Sequence, residues 1–290
     1  MKINPETYPH SWMGQNSTIG NLRIDELILP GSHDSGMDKN SPNTNILSEI
    51  TQDVSAIEQI QGGIRVLDLR VWFYENYPVG DPRRFQLFHL NSSGRTVTTD
   101  ILEALDRFYL GMITPNDTRR EIVILNFHQL ENFNYEAHRE LQELITLRLG
   151  HRLITYDLKD KPLIYLWLSH PGKTVVVSYN WGIDGYTFWN GVNQRWSGKN
   201  LNTTTQLKVF MDQVSLEKKP DHELRSIQCA KYVLPFFVPD DFSDKIDEWF
   251  KSEDENSYIQ KFFIINTDWS LRSDIVRNCI HASCVKALIK

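Results

Sequence analysis

The stretch L-I-L-P-G-S-H-D-S at residues 27–35 is the starting point for interpreting this chain. Its apolar residues are typical of a short buried strand, which Pro30 and Gly31 are expected to end. Four polar side chains follow, and they include the neighbours His33 and Asp34. In barrels of parallel strands the chemistry is found at the carboxyl ends of the strands. The alternative for this pair is a polar turn that caps the next element.

Two later strand-like runs also carry titratable side chains in apolar surroundings. Residues 64–73 contain Asp68 and Arg70, and residues 85–90 contain His89. Because side chains alternate between the two faces of a strand, Asp68 and Arg70 lie on the same face as Val66. We expect that face to point into a barrel, with the alternating leucines and valines packed against helices.

The composition is that of an ordinary globular protein. The 290 residues are 40% hydrophobic and 23% charged, and the net charge is −6. This charge argues against a nucleic-acid partner, which requires a basic face. The cysteines Cys229, Cys279 and Cys284 have neither metal-ligand nor redox spacing, so no metal site is expected from them.

Strand and helix patterns alternate through much of the chain without a linker-like break. Helical patterns cover residues 51–61, 99–110, 135–149, 243–251 and 274–288, and buried strands are expected at 121–127, 174–179 and 262–266. Thr51 or Asp53 is expected to cap the first of these helices, and a turn is expected at residues 115–117. Such alternation indicates a parallel sheet. We predict one α/β domain over residues 1–290, a single irregular TIM-type (β/α) barrel with residues 1–25 packed on it as an arm. Because residues 201–238 show no firm strand, the barrel is expected to be distorted or incomplete.

If the strand ends meet, six groups converge, namely His33, Asp34, Asp68, Arg70, His89 and Asp268. Two histidines can act as base and acid in one displacement. A guanidinium between them binds two oxygens of a phosphate and stays charged. Carboxylates behind the histidines fix the ring orientation. These groups suffice to cleave a phosphodiester without a metal ion, and a hydroxyl beside the phosphate would be the nucleophile. Separately, each histidine could be structural, and Asp68 with Arg70 could be a buried ion pair.

Three motifs in order resemble the X domain of phosphatidylinositol-specific phospholipase C. They are L-P-G-S-H-D-S-G, then G-G-I-R-V-L-D-L-R-V, then the histidine of F-Q-L-F-H-L. The likeness is strongest to the bacterial enzymes and the short X-domain-only proteins. It extends over residues 12–130, weakens at 180–250 and resumes at I-I-N-T-D-W.

The resemblance implies a role for each of the six groups. His33 would take the proton of the inositol 2-hydroxyl, oriented by Asp268, and Arg70 would hold the phosphate. His89, assisted by Asp34, would protonate the leaving oxygen of diacylglycerol. Asp68 would steady Arg70 or His89. No cofactor is implied, and calcium is not expected, because the guanidinium stands where calcium-dependent relatives have acidic ligands.

The headgroup pocket departs from the family pattern. His128 stands where the bacterial enzymes have a lysine, and the family's inositol-binding arginine is replaced near Tyr179. Gln194 and Trp196 stand where an Asp-x-Tyr pair is expected. With Trp181, these residues are the predicted substrate-binding set, and the loop at 181–202 is expected to line or cover the site.

The resulting hypothesis is metal-independent cleavage of phosphatidylinositol-type lipids to diacylglycerol and a cyclic inositol phosphate. The alternatives are a phosphodiesterase for another phospholipid or glycerophosphodiester, and a catalytically silent phosphoinositide-binding domain. The expected partner is a phosphoinositide membrane surface, bound peripherally and transiently by a monomer. The N-terminus shows no signal peptide, so a cytoplasmic location or signal-less secretion is expected.

Overall fold

The computed structural model describes residues 9–43, 46–110, 120–181, 186–252, 254 and 256–290. The strands are β1 (Leu29–Ser32), β2 (Val66–Phe73), β3 (Phe85–Phe88), β4 (Ser92–Thr96), β5 (Val123–Glu131), β6 (Val175–Tyr179), β7 (Trp189–Asn190), β8 (Asn193–Arg195), β9 (Arg225–Cys229), β10 (Tyr232–Val233), β11 (Val238–Pro239) and β12 (Ile264–Thr267). The helices are α1 (Trp12–Gln15), α2 (Ala56–Gln61), α3 (Ala104–Leu110), α4 (Tyr135–Leu149), α5 (Leu163–Ser169), α6 (Thr204–Ser215), α7 (Ser243–Trp249) and α8 (Ile275–Ile289). A π-helix at Val97–Glu103 leads into α3.

The main sheet curls into a distorted, incomplete TIM-type barrel, which confirms the predicted fold class. Its strands pair in the order β7-β6-β5-β2-β1-β12-β9-β8, and each of these pairs is parallel. Only Gly191 and Val192 separate β7 from β8 in the chain, so one short segment holds both edges of the sheet. An antiparallel arm, β3 and β4, continues outward from β2, and β10 and β11 form a separate hairpin.

The alternation along β2 builds the inside and the outside of the barrel as predicted. Val66 packs in the interior with Ile124 and Val176 of the neighbouring strands. Leu67 and Leu69 belong to the apolar layer beneath the outer helices. Asp68 and Arg70 therefore follow Val66 on the interior face, toward the carboxyl end of the strand.

β1 continues through Pro30 and Gly31 to Ser32, so the prediction that these residues end the strand is wrong. Proline lacks only the donor, and the carbonyl oxygen of Pro30 still accepts the N–H of Arg65 on the adjacent chain segment at 3.0 Å. Gly31 has a packing role. A Cβ atom there would lie 2.0 Å from Oδ1 of Asn266, whose amide crosses over the glycine inside the barrel.

Residues 201–238, in which no firm strand is predicted, contain α6 and strand β9, which lies between β12 and β8 in the sheet. On β9 the polar residues Ser226 and Gln228 alternate with Ile227 and Cys229, and all four are buried. The interior face of this strand is polar at the level of the site. The sequence therefore has too few apolar residues there to predict a strand.

The predicted helix at 51–61 begins later, at Ala56. Ser55 and Glu58 form a capping box that fixes this start. Thr51, one of the predicted caps, instead donates its hydroxyl hydrogen to the carbonyl oxygen of Asp34 at 2.9 Å. Asp53, the other, pairs with Arg272.

The N-terminal arm, described from residue 9, is anchored to the bottom of the barrel by a buried ion pair. Nε of Arg65 donates to Glu121 at 3.0 Å, and both side chains are fully buried. The same carboxylate accepts the backbone N–H groups of Met13 and Gly14, and the indole of Trp12 donates to the carbonyl of Gly63. The predicted turn at 115–117 lies outside the described residues. None of the described helices is both long and apolar enough to cross a bilayer.

We expect Glu121→Ala to lower the free energy of unfolding by ~3–5 kcal/mol, because it leaves the Arg65 guanidinium buried without its counter-charge. Urea denaturation measures this. The double variant R65M/E121L, which removes both charges, should be closer to wild type. A double variant as unstable as Glu121→Ala would contradict this reason.

Candidate active site

His33 and Asp268 meet because they follow strands that are paired in register. Ser32 of β1 lies beside Thr267 of β12, so the next residue of each strand emerges at the same level. Nδ1 of His33 lies 2.7 Å from Oδ1 of Asp268. The amide of Gln52 donates to the carbonyls of His33 and Thr267 at 2.8 and 3.0 Å and holds the two chain segments together.

The pair prepares His33 to accept a proton. Burial lowers the pKa of His33, but the charge and hydrogen bond of Asp268 outweigh that effect, and the pKa is raised above its usual value. Because the Asp268 carboxylate accepts the Nδ1 proton, the lone pair of the neutral ring lies on Nε2. That nitrogen is 2.7 Å from Nη2 of Arg70, which donates to it.

Arg70 reaches the centre of the mouth at an irregularity of the sheet. The register of β2 with β5 shifts between Leu69 and Arg70, so His128 is left without a partner residue on β2. Such bulges redirect side chains next to sites. Nη1 of Arg70 lies 3.7 Å from Asp34 and Nη2 lies 4.0 Å from Asp68. Burial lowers the pKa of the guanidinium, but these carboxylates outweigh it and raise the pKa.

The two carboxyl groups beside Arg70 have opposite pKa shifts. Burial raises the pKa of Asp34 to about 7, because the nearby Arg70 does not offset the lost hydration. Burial also acts on Asp68, but the charges of His128 and Arg70 outweigh it and the pKa is lowered. Asp68 also accepts the backbone N–H of Asp34 at 3.2 Å and the amide of Gln194 at 3.0 Å. At neutral pH Asp34 therefore holds a proton part of the time while Asp68 is ionised.

His89 comes to the site by a different route from the one the sequence predicts. It follows β3, which is antiparallel to β2, so the hairpin carries the chain back down to the level of Arg70. Its Nε2 lies 3.2 Å from the hydroxyl of Tyr232, and its Nδ1 is buried with no hydrogen-bond partner among the described residues. Burial first, then Arg70 and His33, lower the pKa of His89 to about 3.

The resemblance implies that Asp34 assists His89, but among the described residues no hydrogen bond joins these two side chains. Oδ2 of Asp34 is buried and has no hydrogen-bond partner there, and the nearest cation to it is Arg70. The partner of His89 is Tyr232, which the sequence analysis does not single out.

His33, Arg70 and His89 open into a pocket of about 350 Å³. Of the predicted substrate-binding residues, His128, Gln194 and Trp196 line it together with His33, Arg70 and His89. The lining also contains residues that the sequence analysis missed, namely Gln129, Asn200, Gln228, Ala230 and Tyr232. Gln228 lies on the polar interior face of β9, so the alternation of apolar residues that marks other strands is missing there. No local pattern marks Tyr232.

Tyr179 and Trp181 are not among the residues that line this pocket. Tyr179 is buried in the layer beneath the helices, where its hydroxyl lies 3.2 Å from Nδ1 of His138. The ring of Trp181 stacks on His138 with centroids 3.9 Å apart. Both residues therefore pack around a histidine of α4. Of the predicted loop at 181–202, residues 182–185 lie outside the described residues.

Among the described residues, no group of three or more histidine, cysteine, aspartate or glutamate side chains could hold a metal ion. No family model matches the chain, and no curated protein is significantly similar in sequence.

The fold is that of bacterial phosphatidylinositol-specific phospholipases C. The Listeria monocytogenes enzyme is 18% identical with a TM-score of 0.65, over 94% of this chain and 97% of that chain. The F249X mutant of the Staphylococcus aureus enzyme is 13% identical with a TM-score of 0.66, over 95% and 98%. Another structure of the S. aureus phospholipase, which concerns the modulation of its membrane binding, is also 13% identical with a TM-score of 0.66. The match covers 94% of this chain and 97% of that chain.

Asp34→Asn should stabilise the protein at pH 8. The folded-state pKa of about 7 lies above the ordinary value of 3.8, so the folded state keeps a proton that the unfolded chain releases. The free energy of unfolding therefore falls as the pH rises from the ordinary pKa to the folded-state pKa. The total loss is up to ~4 kcal/mol at a pH above both pKa values. Asparagine removes this loss.

Urea denaturation at pH 8 and pH 5 measures the effect, and the gain should shrink at pH 5. Asp53→Asn is the control with the opposite sign, because hydrogen bonding to Arg272 lowers the pKa of Asp53 despite partial burial. A gain that does not depend on pH would contradict the explanation for Asp34.

Proposed function

We propose that the chain is an enzyme that cleaves the phosphodiester bond of phosphatidylinositol-type lipids. The observation that carries this proposal is the arrangement of His33 between Asp268 and Arg70. It joins a base with a defined lone pair to a permanently charged guanidinium at the mouth of a barrel. The shared fold with bacterial phosphatidylinositol-specific phospholipases C supports it.

The reaction is an internal transfer of the phosphoryl group. Nε2 of His33 takes the proton of the headgroup 2-hydroxyl, and that oxygen attacks phosphorus. The bond from phosphorus to the diacylglycerol oxygen breaks, and the leaving oxygen takes a proton from an acid in the site. The products are diacylglycerol and a cyclic inositol phosphate. The guanidinium of Arg70 stabilises the charge that develops on the phosphoryl oxygens.

Arg70 must change partner before the reaction starts. Nη2 of Arg70 donates to the lone pair of His33 that would take the proton. A phosphate is an anionic acceptor, so its bond with the Arg70 guanidinium carries charge on both sides and is stronger than the bond from the same guanidinium to a neutral imidazole. Binding of the phosphate therefore draws the guanidinium away from Nε2 and releases the base only when substrate is present.

The acid function is shared between His89 and Asp34 in this proposal. His89 is neutral in the free site because its pKa is about 3, whereas Asp34 has a pKa of about 7 and supplies a proton at neutral pH. A bound phosphate brings a negative charge and compensates Arg70, and both effects raise the pKa of His89. The proton can then reside on His89, close to the leaving oxygen.

The pocket suits an uncharged polyol beside the reacting phosphate. Its lining offers the amides of Gln129, Gln194, Asn200 and Gln228, which both donate and accept hydrogen bonds. Trp196, half exposed, offers an apolar ring face. Among the described residues that line the pocket, Arg70 is the one lysine or arginine. Its guanidinium supplies the positive charge for the phosphate, so we propose that catalysis needs no metal ion.

A membrane surface is the proposed partner. The turn between β10 and β11 carries an exposed apolar tip, defined here as Leu234, Phe236 and Phe237, with 68%, 78% and 38% of their surfaces exposed. Tyr232, two residues before this tip, lines the pocket. Apolar side chains beside a site that cleaves lipid can enter the bilayer and bring the substrate to the mouth. A solved S. aureus relative is described in terms of its membrane binding.

We expect the wild-type protein to release a cyclic inositol phosphate from vesicles of phosphatidylinositol and phosphatidylcholine in excess EDTA. His33→Ala should lower the rate at least ~100-fold, because it removes the general base. Phosphorus NMR identifies the product. His151→Ala, which changes an exposed histidine, is the matched control.

Each other outcome has its own meaning in this assay. Activity only after calcium is added would contradict the proposed metal independence. Cleavage of another phospholipid alone would favour the alternative headgroups. Vesicle binding without turnover would favour the silent binding domain, for which the supporting observation is that Nδ1 of His89 is buried with no hydrogen-bond partner among the described residues.

The double variant L234S/F236S should bind the same vesicles at least ~tenfold more weakly, since each large apolar side chain contributes ~1.5–3 kcal/mol when it leaves water. Co-sedimentation measures the bound fraction. Leu147→Ser changes a leucine on α4 that is more exposed than Leu234, and this variant should bind as wild type does. Equal binding by all three proteins would exclude this tip as the lipid contact.

A further inference from the structure

Tyr232 connects two parts of the molecule that have separate roles in the proposed function. It begins the β10–β11 hairpin, and its side chain is buried at the wall of the pocket. Its hydroxyl lies 3.2 Å from Nε2 of His89, and the two rings lie at 30° with centroids 6.0 Å apart.

On its other side the ring of Tyr232 stacks on Phe237 of the apolar tip. The centroids are 4.9 Å apart at an angle of 26°. Phe237 adopts a positive φ of 51°, a conformation that is unfavourable for a bulky residue and is kept only where packing holds it. The hairpin is fixed at its base, where Tyr232 donates its N–H to Asn200 and Lys231 pairs with Asp240.

The ring of His89 has few other polar contacts. Its Nδ1 is buried with no hydrogen-bond partner among the described residues, and the backbone N–H of His89 donates to the carbonyl of Asn91 without touching the ring. Among the described residues, the hydroxyl of Tyr232 is thus the one group that forms a hydrogen bond with the imidazole ring of His89. Whichever of the two donates, the bond fixes the rotation of the ring and the position of Nε2.

We propose that Tyr232 is a positioning residue that holds His89 in place for proton delivery, and that its stack on Phe237 ties this position to the lipid-facing tip. The inference rests on the proposed function, in which His89 delivers a proton to the leaving oxygen. It adds a physical connection between the surface that meets lipid and the acid that acts on lipid. Tyr232 itself exchanges no proton with substrate.

The decisive comparison uses Tyr232→Phe on two water-soluble inositol phosphodiesters that differ in the leaving group. With a short-chain diacylglycerol leaving group, kcat should fall about tenfold while KM changes by less than about twofold, because only the placement of the acid is disturbed. With a nitrophenol leaving group, which departs without a proton, the loss should be less than about threefold. Equal losses on both substrates, or none, would overturn the proposal.

Tyr165→Phe is the matched control. Tyr165 also lies beside a histidine, His170, with ring centroids 5.5 Å apart, but it is on α5, outside the pocket lining. It should behave as wild type on both substrates. A defect equal to that of Tyr232→Phe would show that the phenolic oxygen at 232 has no specific role.

A second readout does not depend on activity. In protein labelled with nitrogen-15 at histidine, the ring signals of His89 should differ between wild type and Tyr232→Phe and be unchanged in Tyr165→Phe. His89→Gln assigns them. Unchanged signals would overturn the proposal even if kcat falls. If wild-type protein cleaves neither substrate, the proposed function fails, while the signals still decide whether Tyr232 holds the ring.

The tie to the tip is tested with the neighbouring phenylalanines. Phe237→Ala removes the ring that stacks on Tyr232, whereas Phe236 is mostly exposed. On the soluble short-chain substrate, where no membrane is present, Phe237→Ala should lower kcat by several-fold more than Phe236→Ala. Equal effects would overturn the tie between the tip and His89.

Discussion

The parallel pairing of β1 with β12 is the constraint on which the candidate site depends. These strands are about 235 residues apart in the chain, and their register places His33 beside Asp268 at 2.7 Å. The amide of Gln52 donates to the carbonyls of His33 and Thr267 at the ends of the two strands, so the contact does not rest on two flexible loops. A one-residue slip would turn one of the two side chains away.

Burial of charge then sets what the site can do. One guanidinium lies near Asp34 and Asp68 at the mouth of the barrel, where water is largely excluded. Asp68 is stabilised as an anion by neighbouring charges and by the backbone N–H of Asp34, whereas Asp34 is held partly protonated. Two identical side chains thus acquire different states at neutral pH, and the cation between them keeps its charge.

The remaining parts of the site come from antiparallel additions to the barrel. The β2–β3 hairpin returns His89 to the level of Arg70, and the β10–β11 hairpin brings Tyr232 to the other side of the imidazole. Both hairpins project from the carboxyl-terminal mouth, where an apolar tip is also exposed. In the proposed function, acid placement and lipid contact therefore share one structural unit, whereas the base belongs to the rigid parallel sheet.

The sequence by itself determined the barrel class and the faces of β2, because periodicity in buried strands reflects which side meets the core. Proximity to strand ends also marked His33, Asp68, Arg70 and Asp268. It did not determine β9, whose interior face is polar, or that β1 runs through Pro30 and Gly31. Only the tertiary structure decided that Asp34 faces Arg70, that Tyr179 and Trp181 pack on His138, and that the hydroxyl of Tyr232 lies beside Nε2 of His89. These contacts join segments from distant parts of the chain, and no local pattern records which side chain lies opposite another.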